Sequence, residues 1–252
     1  MLLTLGRGLA PAGRGEGGEA APLRLTDLVP GLTANWEVFN ESLLDTTGNG
    51  HHLPLAGGAT FATINGAAPG IGLSSIEHFI SCHSLATSLT GDDVPFSLAY
   101  LVEQNDIDAS YCHFGTSVEG GSGEAHYFRA RGPMGGLQSR RYDGQLLATA
   151  NSADGVYDGS LAIFVYEFNG SEVTVYKDSQ IVAGLDASPA ATNPISELDQ
   201  FFWGAQQADA DPLPENNVPG KFAPVCIKIG GNFSPTDRAS IQSFLNGVYE
   251  RS

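Results

Sequence analysis

Four arginines, Arg129, Arg131, Arg140 and Arg141, fall within thirteen consecutive positions and make up a third of the chain's 12 basic residues. Tyr127 and Tyr142 flank them, and Gly132, Gly135 and Gly136 lie between. A planar guanidinium pairs a carboxylate or sulfate through two parallel N–H bonds, so the segment is a candidate receptor for an acidic glycan or an acidic neighbouring subunit. The alternative is a solvated hairpin whose arginines pair internally, because 28 Asp and Glu residues are on offer and exposed ion pairs contribute little. Trp36, Tyr142 and Trp203 add rings of the kind that stack on sugars, although large aromatics more often fill a core. Trp203, between Phe202 and Gly204, is expected to be half-buried.

The turn Asp45-Thr46-Thr47-Gly48-Asn49-Gly50-His51-His52 offers oxygens from Asp45 and Asn49 to Ca²⁺, and His51 or His52 to a ligand. The competing reading is a tight turn in which Asp and Asn side chains bond nearby backbone, since a hard cation wants six or more oxygens. Cys82-His83 and Cys112-His113, with His78 and His126, make a zinc site on paper only. Neighbours on a strand point to opposite faces, and the spacing of two residues between paired cysteines is absent, which favours buried free thiols beside surface histidines. Gly120-Gly121-Ser122-Gly123 lacks the lysine and the strand-to-helix setting of a phosphate loop.

These side chains must be held by a scaffold, and the composition restricts which one. The formal charge is -16, so the chain repels nucleic acid and anionic lipid, and no run of about eighteen apolar residues is present to span a bilayer. With 32 Gly and 14 Pro, helices are disfavoured and an all-β fold with many turns is expected. Three widely spaced cysteines do not suggest a disulfide framework. Residues 1–22, rich in Gly, Ala and Arg, read as a flexible arm, and residues 23–252 as one domain.

Strand patterns recur through that domain. Val94, Phe96, Leu98, Tyr100 and Val102 alternate with less apolar residues. A strand from Leu161 to Phe168 leads through Asn169-Gly170 into Glu172 to Tyr176, followed by a short strand at Ile181 to Ala183. Others are expected at Ile76–Ser81, Ser110–Phe114, Ala125–Arg131, Gln145–Ala150, Phe201–Ala205 and Phe222–Ile229. One helix is convincing: Ser234 caps it, Pro235 opens it, Asp237 sits in its first turn, and Ile241, Phe244, Leu245, Val248 and Tyr249 form a stripe. The pattern predicts an all-β, two-sheet sandwich closed by a short C-terminal helix.

The order of segments adds a resemblance. Leu28-Val29-Pro30-Gly31-Leu32 leads to the Asp45 turn, then to Tyr157-Asp158-Gly159-Ser160, Val173 to Asp178, Phe202-Trp203-Gly204-Ala205, Phe222 to Ile229, and Phe233-Ser234-Pro235-Thr236-Asp237-Arg238 before the helix. This set resembles the concanavalin A-like lectin/glucanase superfamily, in the laminin G-like form found in bacteriophage and prophage virion proteins, over roughly Leu25 to Glu250. Ser179 departs from the glycine expected after Asp178. The resemblance implies an antiparallel jelly-roll sandwich and leaves the ligand open, because one fold hosts many functions. Hydrolases of the superfamily carry catalytic carboxylates on alternate residues of one strand. Glu197-Leu198-Asp199 matches in part, but Phe201 and Phe202 stand where the acid/base Glu belongs, and a retaining mechanism needs both carboxyls.

The expectation is a non-enzymatic phage or phage-like virion protein, on capsid or tail, present in many copies and assembled in the host cytoplasm. The arm would fix it to other virion proteins by strand addition, and host surface polysaccharide would be its ligand. Arg129, Arg131, Arg140, Arg141, Tyr142 and Trp203 are the candidate glycan residues, and Asp45 with Asn49 the candidate Ca²⁺ ligands. The alternative is a secreted carbohydrate-binding module or a degenerate laminarinase-type hydrolase, against which count the missing carboxylate and the Gly- and Pro-interrupted start of the chain, which does not read as a secretion signal.

Overall fold

The structure is a computed structural model that describes residues 24–74, 78–91, 93–104, 110–118, 124–132, 135–143, 146–183, 198–205 and 220–251. The expected arm, Glu197, Ile76 and the 120–123 loop lie outside the described residues. Strands are numbered in chain order. One antiparallel sheet runs, edge to edge, β13 (Gln180–Ile181), β12 (Val173–Lys177), β11 (Ala162–Phe168), β6 (Phe96–Gln104), β15 (Gly220–Ile229), β4 (Ala68–Leu73) and β3 (Thr60–Ile64), with β1 (Ala34–Asn35) pairing the far half of β15. The other runs β10 (Leu146–Asn151), β9 (Leu137–Asp143), β8 (Glu124–Arg131), β7 (Ser110–Ser117), β14 (Gln200–Trp203), β5 (Phe79–Ser81) and β2 (Leu55–Ala56). Together they make the two-sheet jelly-roll sandwich.

The central strand β6 shows how the sequence builds the core. Phe96, Leu98, Tyr100 and Val102 are all fully buried, and Phe96 and Tyr100 meet Phe114, His126, His113 and Trp203 of the facing sheet. Ser97, Ala99 and Leu101 on the reverse face are equally buried. The C-terminal helix α2 (Pro235–Val248) packs on this sheet against the neighbouring β11, and the segment that leads into it reaches Ser97, which helps cover that face. Ser97 Oγ accepts the Phe233 N–H just before the helix, the Tyr249 hydroxyl donates to Pro69 O on β4, and Arg238 pairs Glu167 on β11. Ser234 is the expected cap of α2, and with Asp237 it forms a capping box. A four-residue helix, α1 (Leu25–Leu28), packs beside α2.

Two strands that position the core carry weak sequence signals. β4 is Ala-Pro-Gly-Ile-Gly-Leu, a composition typical of turns, yet it is a paired strand between β3 and β15. Its glycines are there for close approach: a Cβ on Gly72 would lie 3.1 Å from Ala62 Cβ, and one on Gly70 would lie 3.2 Å from Phe222 O and run into Ile64. β15 carries Pro224 in mid-strand, tolerated because the register against β6 shifts there. The unpaired stretch gives its Val225 carbonyl to the Trp36 N–H instead.

Candidate functional site

The first sheet is covered outside by α2, whereas the outer face of β8, β9 and β10 displays polar and aromatic side chains in a lattice. Strand register fixes the rows. Tyr127, Arg140 and Thr149 stand opposite one another, as do Arg129, Gln138 and Asn151. Adjacent strands are about 4.8 Å apart, so each row is in hydrogen-bonding reach. Arg129 Nε donates to Gln138 Oε1 at 2.8 Å, and Gln138 Nε2 donates to Asn151 Oδ1 at 2.6 Å. Arg140 Nη1 donates to the Tyr127 hydroxyl at 2.9 Å. The guanidiniums of Arg129 and Arg140 both lie over the Tyr127 ring, 5.7 and 5.9 Å from its centroid. Tyr127 and Gln138 are buried beneath, Arg129 and Arg140 are half-exposed, and Asn151 is exposed. The arrangement presents two charged planar forks, braced from below by a ring and two amides.

The expected arginine cluster is therefore only partly a cluster. Arg141, next to Arg140 on β9, points the other way: it is buried, pairs Asp93 and lies over the Phe168 ring. It is not a surface glycan residue, because successive strand residues face opposite sides. Arg131, two residues beyond Arg129 on β8 and on the same face, pairs Asp154 at 2.5 Å. Tyr142 lies on β9 opposite Ala125 and Leu146, and its side chain is outside the described residues. Trp203 requires a correction as well. It is fully buried rather than half-buried, wedged among Trp36, Tyr100, Phe114, Phe201 and Phe222, and offers no ring face to a sugar. Trp36 is buried with it, its indole N–H donating to His51 O at 2.6 Å.

The Asp45 turn is occupied by its own hydrogen bonds. The Asp45 carboxylate accepts from the backbone N–H groups of Asn35, Thr47 and His51 and from the Thr47 hydroxyl. Burial alone would raise its pKa, but these donors outweigh it and hold the carboxyl below its ordinary value. Asn49 donates through Nδ2 to Thr33 O. Donor hydrogens already occupy the oxygens that a cation would need, so the turn is built to lock the chain before and after Trp36. Among the described residues no group of three or more His, Cys, Asp or Glu could hold a metal.

The three cysteines are buried free thiols, as expected. Burial pushes the Cys82 thiol up to about 11, against a smaller opposing effect of a hydrogen bond with Ser84. The histidines beside them are not all at the surface. A register shift in β7 between Cys112 and Phe114 leaves Cys112 on the outer face with Tyr127 and turns His113 inward, where Nδ1 meets the Tyr100 hydroxyl at 3.0 Å. His126 is interior too, against Phe96 and Phe168. On β14, Phe201 stacks on Phe114 at the place where a second catalytic carboxylate would have to stand.

No family model and no curated protein matches the chain. Solved structures do. Domain 4 of AbnA, a GH43 extracellular arabinanase from Geobacillus stearothermophilus in complex with arabinotriose, is 17% identical with a TM-score of 0.53, and the match covers 84% of this chain and 98% of that one. The botulinum neurotoxin serotype D binding domain is 12% identical with a TM-score of 0.62, covering 88% of this chain and 53% of that one. The same serotype's ligand binding domain in complex with N-acetylneuraminic acid is 11% identical with a TM-score of 0.59, covering 90% and 52%. The chain thus spans about half the length of the toxin binding domains and nearly all of the arabinanase domain. At these identities the likeness is one of fold, and the fold shared is the β-sandwich of these binding domains.

Proposed function

We propose that the protein is a non-enzymatic glycan-binding domain whose site is the outer face of β8–β10. The observation that carries the reading is the hydrogen-bonded lattice of Tyr127, Arg129, Gln138, Arg140 and Asn151. Fixed amides and guanidiniums are the groups that recognise sugar hydroxyls and carboxylates with little ordering cost. The solved structures named with arabinotriose and N-acetylneuraminic acid have the same fold, which supports a sugar as the ligand. A glycan array checks it. The full chain should retain at least one glycan, and Asn151→Trp, which lays a bulky ring over the lattice from an exposed position, should lose about tenfold or more of that binding. Retention of no glycan, or full retention by the variant, rejects this face as a sugar site.

The finer reading is a phage or phage-like virion protein, displayed in many copies on capsid or tail and attached through residues 1–22. The composition of the arm and the order of the family-like segments support it, and many weak sites on one particle adhere strongly through multivalency. Deleting residues 1–22 should abolish incorporation into particles in the producing host. Unchanged incorporation refutes the anchor. A second reading, a carbohydrate-binding module working beside a hydrolase, is favoured by the near-complete coverage of the arabinanase domain, and it would be retained if the protein is absent from particles altogether.

A further inference from the structure

Resting on the glycan-binding reading above, we infer that the ligand is an anionic sugar, a uronate or sulfated glycan, held by Arg129 and Arg140 across Tyr127. Three features of the lattice point to charge rather than hydroxyl recognition alone. The first is where the cations go. In a chain with 28 acidic residues and 12 basic ones, most described basic side chains find a carboxylate: Arg131, Arg141, Lys221, Lys228, Arg238 and Arg251 all do. Arg129 has no carboxylate within ion-pair distance among the described residues, and its Nε is spent on the Gln138 amide oxygen. That geometry leaves the two Nη groups as the outward edge of the fork.

The second feature is bracing. Tyr127 sits beneath both guanidiniums, and its hydroxyl accepts from Arg140, so the negative ring face and the phenol oxygen offset the repulsion between two adjacent cations. The Arg129 fork, with the Arg140 charge beside it, is poised for an anion, and its side-chain entropy is already spent. The third feature is the neighbour set. Cross-strand from Tyr127 on β7 is Gly115, which adds no side chain to that end of the Tyr127 row, and at the β10 end of the neighbouring Arg129 row the exposed Asn151 amide lies one hydrogen bond from Gln138. Carboxylate or sulfate at the arginines and ring hydroxyls at the amide end would use the lattice along its length.

Titration calorimetry of the full chain tests this with uronate and sulfated oligosaccharides, each run beside its methyl-esterified or desulfated counterpart. At least one charged member should bind about tenfold or more tighter than its neutral partner. That advantage should shrink as salt rises from about 0.05 to about 0.3 M. Arg129→Gln and Arg140→Gln should each remove about tenfold of the charged affinity and distinctly less of the neutral sugar's, so that the charged-over-neutral ratio falls, while Arg129→Lys should restore only part, because it returns the charge without the fork. The urea midpoint of each variant confirms that it is folded. If neutral and charged partners bind alike and the arginine variants match wild type, the anionic inference fails and glycan binding stands. If no member of either series binds and the array is also blank, the glycan reading itself fails.

Discussion

Replacing Trp203 by alanine should lower the unfolding free energy by about 3–5 kcal/mol, close to the whole stability of a marginal domain. The indole is fully buried and makes edge or tilted contacts with Trp36 at 5.9 Å, Tyr100 at 5.6 Å, Phe201 at 5.3 Å and Phe222 at 5.8 Å. These rings come from both sheets, so a cavity there loosens the joint between them and cannot be closed by moving one side chain. Trp203→Phe should cost much less, about 1–2 kcal/mol, because it keeps a ring in place. It also removes an indole N–H that has no hydrogen-bond partner among the described residues, a group whose burial is itself unfavourable. Urea denaturation of the two variants gives the comparison. Near-wild-type stability of Trp203→Ala, accompanied by lost sugar binding, would return Trp203 to the surface as a stacking platform.

Acid should unfold this protein early. His113 and His126 are both interior, and burial holds each imidazole down at about 3, with the Arg141 charge a smaller contribution at His126. In the unfolded chain a histidine titrates near 6.5, so between those values the unfolded state binds protons that the folded state refuses. Stability is therefore complete above about pH 6.5 and falls as the pH drops towards 3. Each histidine contributes a slope of up to about 1.4 kcal/mol per pH unit, and two contribute up to about 2.7, so moving from pH 7 to pH 5 should cost about 4 kcal/mol. The groups facing them cannot offset this. His113 meets Tyr100, Phe128, Tyr157 and Phe164, and His126 meets Phe96, Phe168 and the Arg141 cation, with no carboxylate in contact among the described residues. Glu167 lies on the other face of β11, paired with Arg238. Burial raises its pKa, so it works in the opposite direction to the histidines. His126→Phe should flatten the dependence of the urea midpoint on pH by about half between pH 6.5 and 4. An unchanged slope would mean that another group governs acid stability.

How much of this was legible depends on whether the signal was local. The β11–β12 hairpin was, because Asn169 and Gly170 supply the turn chemistry themselves: the Asn169 side chain accepts from the Ser171 and Glu172 N–H groups, and Gly170 takes φ of 101°. The α2 helix was legible from its Ser234 cap, its opening proline and its apolar stripe. β4 was not, since its glycines are required by Ala62, Ile64 and Phe222 on other strands. β9 was not either: Leu-Gln-Ser-Arg-Arg-Tyr-Asp has one strong apolar residue, and it is a strand because β8 and β10 pair both its edges.

The candidate site followed the same division. Residue types alone were enough to direct attention to the arginine segment, but the patch could not be drawn without knowing that β9 is a strand. Once it is, the period of two separates Arg140 from Arg141 and leaves Arg129, Arg140, Tyr127 and the unforeseen Gln138 and Asn151 on one face. His113 shows the limit most plainly, since strict alternation puts it opposite Phe114 and a register shift puts both inside. The sequence by itself determined the all-β class, the turns, the closing helix and the acidic surface with its basic exceptions, because periodicity, capping and charge act over a few residues. Only the tertiary structure decided which side chains share a face and which aromatics are core. Those outcomes depend on partners a hundred residues away, and on the burial that makes an unpaired polar group expensive.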